Sequence, residues 1–215
     1  MMKIYINIAV FSFAMLVSLI NAQTAGSMSV HVLGTTNVNG ETDPCGWKKK
    51  PLGGLARKAT IIDELVSSNN EVAIVDAGNL FFKKDQLSPG VTTEIASVTA
   101  DIILNAFNEI GCDAFSPGSQ DFALGLDFLL KMEKSANFPF VSANIKDITG
   151  NHLFRPYQIV SKGGVSLGFI GLASQFTHPD LQIDDPIEAL KGIIDEVASQ
   201  VDLVVLLFNS EEKDI

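Results

Sequence analysis

Apolar runs along the chain alternate with longer stretches in which apolar residues recur at helical spacing. The runs are short and bounded by turn-forming residues, which is typical of buried strands, whereas the longer stretches are typical of amphipathic helices. Strands are predicted at Val30 to Leu33, Val72 to Asp76, Ala114 to Pro117, Phe140 to Ala143, Tyr157 to Val160, Val165 to Leu172 and Leu203 to Phe208. The alternation predicts an α/β fold.

Helices are predicted over Leu52 to Ser67, Thr92 to Ile110 and Pro186 to Gln200. Gly111 follows the second helix as a stop signal, and Asp184-Asp185 precede the third, where acidic side chains suit a helix N-terminus. The apolar stripe that should bury the second helix consists of Ile95, Val98, Ile102, Ile103, Phe107 and Ile110. In the first helix, the residues expected largely on one face are Leu55, Ile62, Leu65 and Val66.

A hairpin is predicted late in the chain. The strands Tyr157 to Val160 and Val165 to Leu172 are joined by Ser161-Lys162-Gly163-Gly164, a sequence typical of a tight turn. Part of the sheet structure is therefore expected to be antiparallel. This pattern disfavours a purely parallel doubly wound fold. No internal repeat or low-complexity linker interrupts the pattern.

The N-terminus has the pattern of a secretory signal peptide. Lys3 precedes an apolar run from Ile4 to Ile20, and Ala22 supplies a small residue for cleavage, so residues 1–22 are expected to be removed. The alternative is an uncleaved membrane anchor, but the run is short for a bilayer span and contains Asn7. The mature chain is expected to be periplasmic or secreted, with no stable membrane span after cleavage.

Length and charge narrow the function classes. The 215 residues, 47% of them hydrophobic, are enough for one globular domain with a full core. The net charge of -10 argues against nucleic-acid binding, which needs Lys and Arg to replace counterions. A short basic cluster at Lys48 to Lys50, Arg57 and Lys58 is interpreted as a solvated loop, with an anion site as the alternative.

Two cysteines would meet an oxidising compartment after export. Cys112 lies between a predicted helix and a predicted strand, where a small buried thiol is the simplest role. Cys45 lies in the turn-rich segment Asp43-Pro44-Cys45-Gly46-Trp47 and is the better candidate for reactivity. A thiol-dependent role of the Cys45 loop is therefore kept as a third functional hypothesis.

Polar segments follow four of the predicted strands. Because ligands of α/β folds bind at the carboxyl ends of strands, these segments are the candidate site. They are Thr36-Asn37-Val38-Asn39-Gly40, Asp76-Ala77-Gly78-Asn79, Pro117-Gly118-Ser119-Gln120-Asp121-Phe122 and Phe208-Asn209-Ser210.

In order and spacing, these segments resemble the metal-binding loops N-D-x-H-G, D-A-G-D, G-N-H-E-F and L-x-H-S of the 5'-nucleotidase branch of calcineurin-like metallophosphoesterases. The framework between the loops is similar too. Gly53-Gly54-Leu55-Ala56-Arg57 resembles the family's G-G-x-A-R, Ser142 to Ile145 its S-A-N-I, and Ile170-Gly171-Leu172 its I-G-L. The resemblance covers nearly the whole mature chain and implies a four-layer α/β/β/α sandwich with mixed sheets.

Carried over position by position, the resemblance implies a site whose metal ligands have changed. Asn37, Asn39, Asn79, Ser119 and Asn209 stand where the family has the metal ligands Asp, His, Asp, Asn and His. Gln120 stands where the family has the catalytic His that stabilises the phosphate transition state. Asp121 keeps the acidic character of the residue that orients this His. The three histidines His31, His152 and His178 occupy none of these positions and are interpreted as structural or solvated.

The family hydrolyses phosphate esters with two divalent cations that ionise a bound water. Carboxylate ligands compensate much of the positive charge of these cations. Amides and hydroxyls attract cations far less strongly, so the two metals are expected to be lost or weakly bound here. The first hypothesis is an exported binding protein for a small polar or phosphate-containing ligand, with phosphoesterase activity lost or greatly weakened. The second is an active metal-dependent hydrolase of nucleotides or related phosphate esters.

The resemblance also bears on domain organisation. The family's N-terminal domain normally continues to a G-H-x-H loop with two further metal ligands, and a C-terminal domain recognises the nucleoside. Residues 23–215 are therefore expected to form the metallophosphoesterase domain, incomplete at its C-terminus, either as a fragment of a longer protein or as a truncated product.

Overall fold

The computed structural model describes residues 29–44, 52–68 and 71–210. The expected signal peptide, the Cys45 loop and the lysines at 48 to 50 lie outside these ranges. Within them, no helix combines the length and apolar character needed to cross a bilayer.

The first sheet is parallel. It contains β1 (His31–Thr35), β2 (Val72–Asp76) and β3 (Ala114–Phe115), in the order β1-β2-β3. Each crossover contains a helix, α1 (Leu55–Ser67) between β1 and β2 and α2 (Thr93–Ile110) between β2 and β3. The polar segments that follow the three strands therefore lie along one edge of the sheet.

The second sheet is mixed, as the hairpin signal predicts. The strands β5 (Tyr157–Lys162) and β6 (Val165–Ala173) pair antiparallel, and β6 pairs parallel with β8 (Leu203–Asn209). Two short strands, β4 (Ile145–Asp147) and β7 (Leu181–Ile183), form a separate antiparallel ribbon. In the chain, β4 precedes β5, and β7 lies between β6 and β8. The helix α4 (Pro186–Ala198) connects β7 to β8.

The two larger sheets pack face to face, with helices outside them. Along β2, Ala73 and Val75 pack against Phe169 and Leu207 of the second sheet, in a cluster that joins the sheets. Alternate residues on the same strand pack against α1, and the outer face of β6 packs against α4. The alternation follows from the two-residue period of a strand. The predicted four-layer α/β/β/α sandwich is therefore confirmed.

The predicted strand Phe140 to Ala143 is wrong as a regular strand. Successive residues of this segment bond to different neighbours: Val141 N donates to Phe115 O, Ser142 N to Arg155 O and Ala143 N to Gly171 O. The segment forms isolated bridges across the gap between the sheets instead of one ladder. Its apolar composition reflects this buried position, which strand patterning does not distinguish from a sheet member.

The predicted stripe on α2 is also partly wrong. Ile95, Val98 and Ile102 are more than half exposed. The buried face instead carries Ala96, Ala100, Ile103, Leu104 and Phe107. Ile103 and Phe107 are thus buried as predicted, and Ala96, Ala100 and Leu104 take the place of Ile95, Val98 and Ile102 in the core. A helix α3 (Leu126–Ser135), β4 and β7 were not predicted individually.

Two ionisable side chains, Asp76 and Lys58, are linked through the hydroxyl of Thr35 beneath the edge where the polar segments begin. Asp76, at the end of β2, is fully buried, and its carboxylate accepts hydrogen bonds from Thr35 Oγ1 at 2.6 Å and Gly78 N at 2.9 Å. Lys58 Nζ donates to the same Thr35 Oγ1 at 2.9 Å and lies 3.8 Å from the centre of the Phe107 ring. Burial raises the pKa of Asp76 to about 7, although the hydrogen bonds and Lys58 oppose the increase.

This raised pKa predicts a pH dependence of stability. Because the folded state holds the Asp76 proton more tightly than the unfolded state does, stability falls as pH rises from the unfolded pKa towards about 7. Asp76→Asn removes this dependence. The free energy of unfolding of the variant relative to wild type should therefore rise by about 2 kcal/mol between about pH 5 and pH 7.

Urea unfolding at both pH values measures the difference. Asp63→Asn, which removes an exposed carboxylate from α1, is the matched control and should parallel wild type. Parallel curves for Asp76→Asn and wild type would contradict the assignment of a raised pKa to Asp76.

Candidate functional site

The four polar segments meet at one cavity of about 920 Å³. Five of the seven candidate residues line it, and these are Asn37, Asn79, Ser119, Gln120 and Asn209. The strands β1, β2 and β3 end at this edge of the first sheet, and β8 ends beside it from the second. The convergence follows from parallel pairing, which brings the carboxyl ends of the strands together.

The loops after β1 and β2 are joined by main-chain hydrogen bonds. Asn37 N donates to Gly78 O and Asn39 N donates to Asn79 O, each at 2.8 Å. All three asparagines adopt left-handed backbone conformations, with φ of 54° for Asn37, 56° for Asn39 and 55° for Asn79. Asn is one of the few residue types other than Gly that adopt this conformation readily. The amide side chains are thus compatible with the bends that carry them into the site.

The side-chain amides are hydrogen-bonded to one another. Asn79 Nδ2 donates to Asn37 Oδ1 at 2.8 Å, and Asn79 Oδ1 accepts from Gln120 N at 3.2 Å. Asn209 Nδ2 lies 3.5 Å from Thr36 Oγ1. Direct amide contacts therefore connect the loops that follow β1, β2 and β3.

The Gln120 side chain turns away from the centre of this network. In the amide orientation that satisfies its neighbours, Nε2 donates to Phe82 O at 2.8 Å, to Lys83 O at 3.0 Å and to Asn39 Oδ1 at 3.0 Å. Its backbone belongs to a short 3-10 helix, Ser119–Phe122, that follows β3. Gln120 thus fixes the segment after Asn79 as well as lining the cavity.

Asp121 lies below the cavity and is fully buried. One carboxylate oxygen accepts from Leu80 N at 2.8 Å and Phe81 N at 2.9 Å, and the other accepts from Asn79 N at 2.8 Å and Gly118 N at 2.9 Å. Burial raises the pKa of Asp121 to about 6, while these backbone donors favour the carboxylate. In this structure Asp121 therefore positions the loops through their backbone.

Glycine is needed at position 118 because the surrounding atoms leave no room for a side chain. A Cβ atom at this position would lie 2.4 Å from Asn79 Oδ1 and 2.7 Å from Asn209 Oδ1, both far shorter than a van der Waals contact. The oxygens of the two asparagines thus converge over Gly118. Any larger residue would push them apart.

The opposite wall of the cavity comes from residues that the loop-end argument did not select. Ser174 and Phe176 follow β6, and Asp185 caps the N-terminus of α4 by accepting from Ile187 N at 2.9 Å and Glu188 N at 3.0 Å. The same rule of strand ends applies to this wall, because β6 runs parallel to β8 and ends at the same edge. The polar run after β6 carries no motif that would have identified it.

A framework residue holds this wall in place. The buried Asn144 accepts from Ala173 N at 3.0 Å and donates to Ala173 O at 2.7 Å and Asp184 O at 3.0 Å. It therefore joins the end of β6 to the residues that precede α4. The S-A-N-I segment, singled out above as framework, has this physical role.

Other candidate groups lie away from the cavity. Cys112 is buried, its Sγ lies 3.4 Å from Ala114 O, and burial raises the pKa of its thiol to about 12, which makes it a poor nucleophile. His178 packs near the Phe122 ring, with the ring centres 5.6 Å apart. Throughout residues 29–44, 52–68 and 71–210, no three His, Cys, Asp or Glu side chains are grouped so that they could hold a metal ion.

The chain is similar in sequence to proteins named 5'-nucleotidase. No protein-family model matches the chain. A 5'-nucleotidase of Vibrio cholerae is 32% identical over 153 residues, which cover 67% of this chain and 27% of that protein. A snake venom 5'-nucleotidase of Gloydius brevicauda is 30% identical over 187 residues, 78% of this chain and 30% of that protein.

The fold comparison agrees. The crystal structure of a 5'-nucleotidase precursor from Thermus thermophilus superposes with a TM-score of 0.70 and 24% identity, covering 84% of this chain and 37% of that one. The chain thus spans less than two fifths of the length of each of these three proteins. In sequence and in fold, the chain belongs to the 5'-nucleotidase-type members of the calcineurin-like metallophosphoesterases, and it corresponds to their N-terminal part.

Proposed function

We propose that this protein is an extracytoplasmic binding protein derived from the 5'-nucleotidase fold, whose cleft holds a small polar ligand without two-metal hydrolysis. The observation that carries the proposal is the 2.8 Å hydrogen bond from Asn79 Nδ2 to Asn37 Oδ1. By resemblance, these two positions supply acidic metal ligands in the family. Here an amide nitrogen is directed at the oxygen that a cation would need.

The electrostatics of the cleft support the same conclusion. Two divalent ions a few ångströms apart repel strongly unless carboxylates offset their charge. At the five metal positions this chain has four asparagines and a serine, all neutral. Asp121 cannot compensate for them without breaking contacts, because its oxygens already accept four backbone N–H groups. The amide pair instead connects the loops without any ion.

A second function, metal-dependent hydrolysis of a phosphate ester, is favoured by the cavity itself. The cleft retains a volume of about 920 Å³, enough for a nucleotide-sized molecule. Relatives that bear the name 5'-nucleotidase share this part of the chain. A role for the Cys45 thiol is the third candidate and concerns a residue outside the described ranges.

Metal binding and turnover, measured together, test the first proposal against the second. The purified protein, dialysed against Mn²⁺, Zn²⁺ or Ca²⁺, should retain less than one tightly bound ion per chain by elemental analysis. It should release no phosphate from AMP above the buffer rate, because the five positions that hold the metals in the family carry neither carboxylate nor imidazole here. Two bound metals with chelator-sensitive phosphate release would establish the hydrolase instead.

Restoring the acidic pair gives a test that does not depend on activity. In Asn37→Asp/Asn79→Asp, two carboxylates replace a donor and an acceptor 2.8 Å apart. Their repulsion should destabilise the metal-free protein by roughly 1–3 kcal/mol. Added Mn²⁺ should then raise the melting temperature of the variant but not that of wild type, because ligand binding stabilises only the state that binds.

Asn105→Asp, at an exposed position on α2, is the control for a carboxylate added away from the cavity. It should unfold as wild type does, with and without Mn²⁺. An equal Mn²⁺-induced rise in the melting temperatures of wild type and the double variant would show that the amide site already binds the ion, and it would contradict the proposal.

A further inference from the structure

The charge of the cavity wall limits what the site can bind. Its polar lining consists of amides and hydroxyls, and Asp185 is the one ionisable side chain among the described lining residues. No Lys, Arg or His is among them, so the described wall offers an anion no positive charge.

Two lysines on elements next to this wall are paired with carboxylates. Lys191, on α4, contacts Glu188 at 2.8 Å, and Lys146, on β4, forms an ion pair with Asp184. In each pair the carboxylate offsets the charge of the lysine, which weakens the attraction of that lysine for a phosphate. The chain as a whole is also acidic, with a net charge of -10, so long-range attraction of anions is unfavourable.

The feature of this wall best suited to anions is also occupied. The N-terminus of α4 borders the cavity, and exposed N–H groups at a helix N-terminus attract phosphate. Here the carboxylate of Asp185 accepts from Ile187 N and Glu188 N, so the protein supplies its own anion. A phosphate bound here would meet the negative charge of Asp185, whereas a helix N-terminus without an acidic cap presents partial positive charge.

The wall does match a neutral molecule with hydroxyl groups. Amide side chains both donate and accept hydrogen bonds, as each hydroxyl of a sugar requires. Phe176, Ile187 and Phe208 add an apolar surface to the same cavity. Such a surface can cover the face of a sugar ring or a nucleobase.

We propose that the cavity takes an uncharged, hydroxyl-bearing small molecule with an apolar or aromatic face, and that it discriminates against the phosphate ester of the same molecule. This inference rests on the proposed binding function and names the ligand class of that site. Adenosine and AMP form a matched pair of probes, because they differ only in the phosphate. D-glucose separates a sugar requirement from a nucleoside requirement.

Isothermal titration of the purified protein with each probe, in chelator-treated buffer, measures the preference. Adenosine or D-glucose should bind. If adenosine binds, AMP should bind at least about tenfold more weakly than adenosine. If glucose is the preferred probe, AMP should not bind detectably. Equal or tighter binding of AMP overturns the inference, and so does the absence of binding by both neutral probes at millimolar concentration.

Asp185→Asn tests the charge mechanism. Asn still caps a helix N-terminus, so the substitution removes the charge but retains the cap. The affinity for AMP should rise roughly fivefold relative to the affinity for the neutral probe, because only AMP carries the phosphate that the Asp185 charge repels. Asp195→Asn removes the same charge from an exposed position further along α4 and should alter neither affinity. A matching AMP response in both variants, or in neither, overturns the mechanism.

Phosphate release, assayed on the same samples with added Mn²⁺, separates this inference from the proposed function. Tight AMP binding without phosphate release contradicts only the neutral-ligand inference. Metal-dependent phosphate release contradicts the binding-protein function itself.

Discussion

The carboxylate of Asp121 holds together the edge of the molecule on which the cavity opens. It accepts hydrogen bonds from four backbone N–H groups, three in the loop after β2 and one at Gly118. Without this acceptor those donors would be buried and unsatisfied, at about 1–3 kcal/mol for each donor left without a partner. The direction of Asn79, and through it the contact with Asn37, depends on this arrangement. The site therefore rests on a buried anion whose partners are backbone dipoles rather than ions.

The same region already contains a second buried carboxylate, Asp76, beneath the loop after β2. Burial raises the pKa of both carboxyl groups. Lys58 shares the Thr35 hydroxyl with Asp76, and its positive charge opposes part of the increase at Asp76. Further carboxylates above them would add repulsion unless cations were bound. Neutral amides avoid this repulsion and contribute hydrogen bonds between the loops. The amide contacts thus hold these loops together without adding negative charge to the cleft.

Most of the fold could be predicted from the sequence, because the buried strands of both large sheets are short apolar runs between turn residues. The bridging segment at Phe140 could not, since its irregular pairing depends on where β3 and β6 lie rather than on its own composition. Five candidate site residues come together at the cavity because parallel strands end there. The wall with Phe176 and Asp185 was missed, because it depends on packing between β6 and α4 that no local motif encodes.

Backbone conformation explains why asparagine, rather than some other neutral residue, occupies three of these positions. Asn37, Asn39 and Asn79 all have φ near 55°, a region that L-residues enter with strain but that Asn, Asp and His tolerate better than most. The resemblance places Asp, His and Asp at these positions in the family, so its ligands belong to the same small set. An exchange within that set changes the charge without changing the bend, whereas Ala, Ser or Val would strain the loop. The left-handed bends can therefore be kept while the side chains of the loops bond to one another, as Asn37 and Asn79 do.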